Sequence, residues 1–346
     1  MASIYKDFFS LDIPTAVGER GAGSGMSAST PSGIPSQRLS MQVKGLRCEA
    51  YRGFAPVEDG RFIIVKPLGE DGLLCAMIDP SGRGPQAVDI GACLKDAIES
   101  QLGADFLRYA GQKPVAALDR LDDIVDQAMS GLHIPGYFSM MGALIVSAKT
   151  GRASLLCRGL SGMAGLRAGG APLWASGAGL PANGVIPRDF LFMRGLKPVK
   201  EYQIRPGDSL IITNAQYSEL PGDHETSEKD LLPRMAARAA RGGRLEAGGL
   251  ALEISPAEAA GLSIPERMAV AMHALRLAAL NSDPGLERGD LTLDAGQVGY
   301  FEAICLASGL SLPKPERDER AFVRYADSAP LAIKGLLVVS ITREVS

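Results

Sequence analysis

One carboxylate stands where a hard cation could use it. The run GLLCAMID (72–79) is continuously apolar until Asp79, and PSGRG follows it before a helical pattern begins. Gly82 and Gly84 let the backbone turn tightly and leave the Asp79 carboxylate free for a metal such as Mg²⁺ or Mn²⁺. The same spacing also suits a plain strand-to-helix turn in which Asp79 acts as a cap. The other metal-binding and nucleophilic residue types are sparse. Cys48, Cys75, Cys93, Cys157 and Cys305 form no CxxC pair, so neither a disulfide framework nor a structural zinc site is indicated. Cys75 and Cys157 lie in apolar runs, where a cysteine reads as a small buried hydrophobe. His133, His224 and His273 show no HxH, HxxxH or HExxH spacing, and Ser-His-Asp or Cys-His chemistry has no local support.

The elements that must position Asp79 are of both kinds. The 346 residues are 46% hydrophobic and 22% charged with a net charge of −3, which suits a globular chain with a sizeable core. Lys and Arg are scattered rather than gathered in a stripe, which argues against a nucleic-acid enzyme. No apolar run approaches the roughly 20 residues of a membrane span, and the start lacks a signal-peptide pattern, so a cytoplasmic protein is expected. Residues 18–36 hold 13 Gly, Ser, Thr or Pro in 19 positions. Such a stretch cannot bury enough apolar area to offset its ordering, so 1–38 is read as a flexible tail carrying the short apolar-aromatic motif IYKDFFSLDI (4–13).

Strands are expected at 61–68, 72–79, 141–148, 152–159, 208–214 and 334–342, several apolar throughout as strands covered on both faces should be. Lys149-Thr150-Gly151 and Arg205-Pro206-Gly207-Asp208 are turn signals. Helices are expected over 85–102, around 121–128 and from the capping box at Ser263 and Glu266 to Asn281. The last is apolar on two sides, so it must be sandwiched or paired, and His273 on it reads as a packing residue. This series gives an α+β class with two mainly antiparallel sheets and helices outside.

The order of the motifs resembles the metal-dependent protein phosphatase (PPM, type 2C) superfamily, in particular its stage II sporulation protein E-like bacterial branch. The residues that carry the resemblance are DPSGRG at 79–84, TG at 150–151, GAGLP at 177–181, PGDSLIITNA at 206–215 and the terminal strand LLVVSIT. It implies an α-β-β-α sandwich over residues 39–346, with a helical insertion at about 221–330. That insertion is either an extra layer completing the fold or a partner surface.

The resemblance also implies a pair of Mg²⁺ or Mn²⁺ ions held by carboxylates, and here the chain departs from it. The first family ligand falls on Gly60-Arg61, the third on Thr213-Asn214-Ala215, and the last near Ala332-Ile333. Only Asp79 is matched, while Arg61 and Asn214 occupy other ligand positions. A neutral amide is a weak ligand and a guanidinium repels a cation. The expectation is a pseudophosphatase: a catalytically impaired module of bacterial signalling that needs no metal cofactor. It would bind a protein partner, such as a phosphoprotein or a sigma-factor-regulatory protein. The alternative is an active Mn- or Mg-dependent serine phosphatase that uses displaced ligands such as Asp59 or Asp327.

Overall fold

The computed structural model describes residues 9–10, 36–54, 60–82, 84–132, 134, 137–159, 162–176, 182, 199–214, 228–247, 249–254, 261–317, 322–330 and 336–345. Two six-stranded sheets form its centre. The first has the order β1-β4-β5-β6-β7-β10, with β1 at Phe9–Ser10, β4 at Phe62–Leu68, β5 at Gly72–Pro80, β6 at Ser139–Ser147, β7 at Arg152–Arg158 and β10 at Val199–Gln203. The second has the order β2-β3-β17-β11-β8-β9, with β2 at Gln37–Val43, β3 at Leu46–Arg52, β8 at Gly162–Leu166, β9 at Pro172–Ser176, β11 at Ser209–Thr213 and β17 at Leu337–Arg343. All pairings are antiparallel except that of β1 with β4.

Side-chain alternation divides the interior into three layers. Ile63, Val65, Cys75, Met77 and Leu144 of the first sheet meet Cys48, Ala50, Leu210, Ile212 and Val339 of the second. Ile64, Ala76, Ile78 and Leu156 point the other way, into helices α1 (Pro85–Glu99), α2 (Ala104–Gln112) and α3 (Pro114–Leu132). Tyr51, Ala164, Ile211 and Val338 of the second sheet face α4 (Glu228–Arg241), α5 (Ile264–Ser282) and α6 (Ala295–Ala307). The α-β-β-α sandwich implied by the motif order is therefore the architecture present. β5, buried at all nine positions, is apolar up to Asp79 because both of its faces are covered.

One charged link crosses an apolar layer. Arg158 of β7 is buried and donates to Asp122 at 2.6 Å and to Asp126 at 3.2 Å on α3, which pins that helix to the sheet. Removing one partner of such a pair leaves a buried charge uncompensated.

Two differences from the sequence reading have simple causes. β2 starts at Gln37, inside the segment 1–38 assigned to the tail, because its alternating QRLSMQV pairs along β3. Within 221–330 the chain is not only helical. It also forms a hairpin, β12 (Gly243–Ala247) with β13 (Leu250–Ile254), and a small sheet of β14 (Arg288–Asp294), β16 (Phe322–Pro330) and β15 (Glu316–Arg317). These short strands carry too many charges to stand out as apolar runs. Helix α5 has its expected capping box, and its two apolar sides are covered by the second sheet, α4, α6, β13 and β16. Its apolar character is thus satisfied within the chain.

Candidate functional site

Asp79 lies near the end of β5, one residue before its last, Pro80. Odd-numbered β5 residues Leu73, Cys75 and Met77 face the second sheet, so Asp79 does too, and it is fully buried. Across the sandwich, Asn214 follows β11 on the face shared by Leu210 and Ile212. Its Nδ2 donates to Asp79 Oδ2 at 3.4 Å, while its Oδ1 accepts the Leu337 N–H at 2.7 Å. The Asn214 N–H in turn donates to the Leu337 carbonyl at 3.2 Å. Both ends of the amide are used, so its orientation follows from the start of β17.

Arg61 immediately precedes β4. Phe62 pairs with Ile78, and continuing that register sets Arg61 opposite Asp79 on the face of Ile63 and Val65. It is fully buried. Arg52 ends β3, opposite Leu337, on the face of Cys48 and Ala50, and it is also buried. Among the described residues, the same end of the sandwich thus gathers one carboxylate, one amide and two guanidinium groups. Asn214 bonds Asp79 directly, and the strand register sets Arg61 across from it. Arg52 was not singled out in the sequence, although the alternation Leu46, Cys48, Ala50, Arg52 places it on the inner face.

Asp79 does not cap the following helix. The N-terminus of α1 has Gly84 at φ +78° and no side-chain cap, and the turn is closed instead by Ser81 and Phe138. The Ser81 N–H donates to the Phe138 carbonyl at 2.8 Å, and the Phe138 N–H donates to Ser81 Oγ at 2.9 Å. Among the described residues no three His, Cys, Asp or Glu side chains gather to hold a metal ion. Asp327 lies in β16 of the small outer sheet, exposed, with its N–H donating to Asp290 at 3.3 Å. Asp59, Arg83, His133, His224, the GAGLP turn and the family's last ligand position, near Ala332-Ile333, lie outside the described residues. Among the described residues an amide and a guanidinium accompany Asp79, and neither is a good ligand for a two-cation centre.

The remaining reactive types are quiet. Burial pushes the Cys48 thiol up to about 12, with Glu49 adding to it, and pushes the Cys75 thiol up as well. Cys305 rises to about 12 by burial and the nearby Glu302. Such thiols stay protonated and inert at neutral pH. Burial, helped by Arg276, lowers His273 to about 3, so it packs as a neutral ring.

No family model and no curated protein matches the sequence. Solved structures do. The RsbU and RsbW domains of a Mycobacterium tuberculosis protein align at 15% identity over 83% of this chain and 55% of that one, with a TM-score of 0.43. The PP2C phosphatase domain of SpoIIE from Bacillus subtilis, with a fragment of its regulatory domain, aligns at 12% identity over 89% of this chain and 64% of that one, at 0.48. The serine/threonine phosphatase PstP of Mycobacterium tuberculosis aligns at 14% identity over 89% of this chain and all of that one, at 0.43. The chain spans little more than half the length of the first of these and under two thirds of the second. The second and third are phosphatases by description, the family that the motif order resembles. Likeness at this level concerns fold and carries nothing about activity. No helix among the described residues is long and apolar enough to cross a membrane.

Proposed function

We propose that this chain is a pseudophosphatase of the PPM type, a cytoplasmic module that binds a protein and does not hydrolyse a phosphoester. The observation that carries the reading is the company of Asp79: the Asn214 amide at 3.4 Å and the buried Arg61 opposite it in register. A carboxylate beside a guanidinium has its charge balanced by protein, and a divalent cation entering there meets repulsion from the arginine. Arg52 at the same end adds to that repulsion. A metal-activated water, which the family's chemistry uses, then has no seat. What remains of the fold is a rigid scaffold, and a protein partner of a signalling pathway is the ligand class that suits it.

Calorimetry with Mn²⁺ on the whole chain tests this, together with release of phosphate from an aryl phosphate. Wild type is expected to give neither binding heat at millimolar Mn²⁺ nor turnover. Arg61→Asp with Asn214→Asp restores two carboxylates and is expected to create measurable Mn²⁺ affinity. Mn²⁺ binding by wild type that Asp79→Ala abolishes would overturn the reading.

A further inference from the structure

A second buried polar cluster lies on the outer face of the second sheet, where β2 begins. Arg38 reaches from β2 to two helices at once. Its Nε donates to Glu266 Oε1 at 2.6 Å and its Nη2 to Asp294 Oδ2 at 2.8 Å. Glu266 sits in the first turn of α5, where its other oxygen accepts the Ser263 N–H at 2.9 Å and the Ser263 hydroxyl at 2.8 Å. Asp294 is the residue before α6, and it also accepts a hydrogen bond from Ser36 Oγ. The Tyr51 hydroxyl completes the group, 3.1 Å from Gln297 Oε1 and 3.4 Å from Asp294 Oδ2, and the Arg38 guanidinium lies 5.6 Å from the Tyr51 ring centre.

The two sides of this contact differ in exposure. The Glu266 and Asp294 side chains are 8% and 11% exposed, whereas that of Arg38 is 49% exposed. Two carboxylates held near each other repel, and burial sharpens that repulsion. The positive ends of two helix dipoles relieve part of it, and one guanidinium relieves most of the rest. The cation that reconciles the starts of α5 and α6 is therefore the accessible member of the cluster, on the edge strand of the sheet.

We propose that Arg38 is an ionic clasp: it sets how tightly the starts of α5 and α6 close on the second sheet, and drawing its guanidinium away loosens that layer while the sandwich stays folded. Burial opposes the charge of Glu266, but the bonds from Ser263 and Arg38 outweigh it and hold the carboxyl below its ordinary value. The clasp owes nothing to the reading of the Asp79 end.

Amide hydrogen exchange on the full chain decides the matter. In Arg38→Met, residues 267–272 and 298–302 are expected to exchange at least tenfold faster, with β5 and β6 unchanged. Arg38→Lys, which can serve one carboxylate but not both, is expected to fall between Arg38→Met and wild type. The clasp is refuted if exchange at both helix starts is unaltered. It is equally refuted if β5 and β6 accelerate to the same degree, since that marks general destabilisation. Should Arg38→Met fail to fold, Arg38→Lys alone decides: faster exchange confined to the helix starts supports the clasp, and wild-type rates refute it. Neither result alters the Mn²⁺ experiment.

Discussion

The sandwich is closed by tied backbone turns at one end and gathers buried polar side chains at the other. At the turn end, where β4–β5, β6–β7 and β10–β11 reverse direction, the reversals tie into one another. The Ile204 N–H donates to the Gly151 carbonyl at 2.7 Å, Gly207 N–H to Arg343 O at 2.6 Å, and Ala148 N–H to Asp71 O at 2.8 Å. Asp208 ties its own turn to the turn that follows β8. Its Oδ2 accepts the Arg205 N–H at 2.8 Å and Arg167 Nη1 at 2.9 Å, and its Oδ1 accepts the Ala168 N–H at 3.1 Å. At the opposite end Arg52, Arg61, Asp79 and Asn214 face inward between the sheets. The turn-end groups bond mainly to the backbone of neighbouring turns, whereas at the Asp79 end two guanidinium groups are buried between the sheets and Asn214 links Asp79 to the start of β17. That makes the Asp79 end the less able to absorb change.

A substitution at Gly60, beside Arg61, puts that contrast at greatest risk. Gly60 has φ +67°, and a Cβ there would lie 2.0 Å from the Ala87 carbonyl oxygen and 2.7 Å from its carbon. Both are backbone atoms of α1, which cannot swing aside. Gly91 shows the same contact from the helix side, its own Cβ meeting Gly60 O at 2.0 Å. Gly60→Ala should therefore move α1 off the sheet and cost about 3 kcal/mol or more in urea unfolding. A variant of near-native stability would show that the Asp79 end yields readily and would remove the contrast.

Gly151 is the matched case at the turn end, with the same φ of +67°. A Cβ there would meet Arg343 Nη1 at 2.4 Å, Gln203 Nε2 at 2.7 Å and Ile204 O at 2.7 Å. Two of those three are ends of long side chains that can move. Gly151→Val should thus cost less than Gly60→Ala, about 2 kcal/mol, most of it from the backbone conformation. Equal losses at the two glycines would mean that the turn end is as rigid as the other.

The turn end is also the part that the sequence displayed openly. KTG and RPGD are local signals, and the strands they join are apolar runs that need no tertiary information to be seen. β2 and β3 were harder, because QRLSMQV and LRCEAYR alternate with polar residues and lack a continuous run. The Asp79 end was legible only in part. Asp79, Arg61 and Asn214 stand out once the motif order is aligned, yet their meeting depends on strands 135 residues apart in the chain. Arg52 needed the register of β3 against β17, which no local pattern fixes. The Arg38 clasp joins residues more than 220 positions apart, so its carboxylates looked like ordinary helix-start acids. Ser263 and Glu266 marked the helix start correctly, but nothing local says that Glu266 also holds β2.

The smallest effect expected comes from the aspartate of the PGD turn. Asp208 is buried and accepts two backbone N–H groups and one guanidinium. Its side chain is only 2% exposed, but its partner Arg167 is about one-third exposed and can turn to solvent when the carboxylate is removed. The loss is then the net worth of a few hydrogen bonds that water can partly replace rather than the penalty of a sealed charge. Asp208→Ala should cost about 1–2 kcal/mol, and Asp208→Asn less, since its amide oxygen keeps one acceptor for the turn. The midpoint of urea unfolding measures both. If Asp208→Ala proves as damaging as Gly60→Ala, the PGD turn is a sealed element like the Asp79 end, and the division of the sandwich into a tolerant and an intolerant end fails.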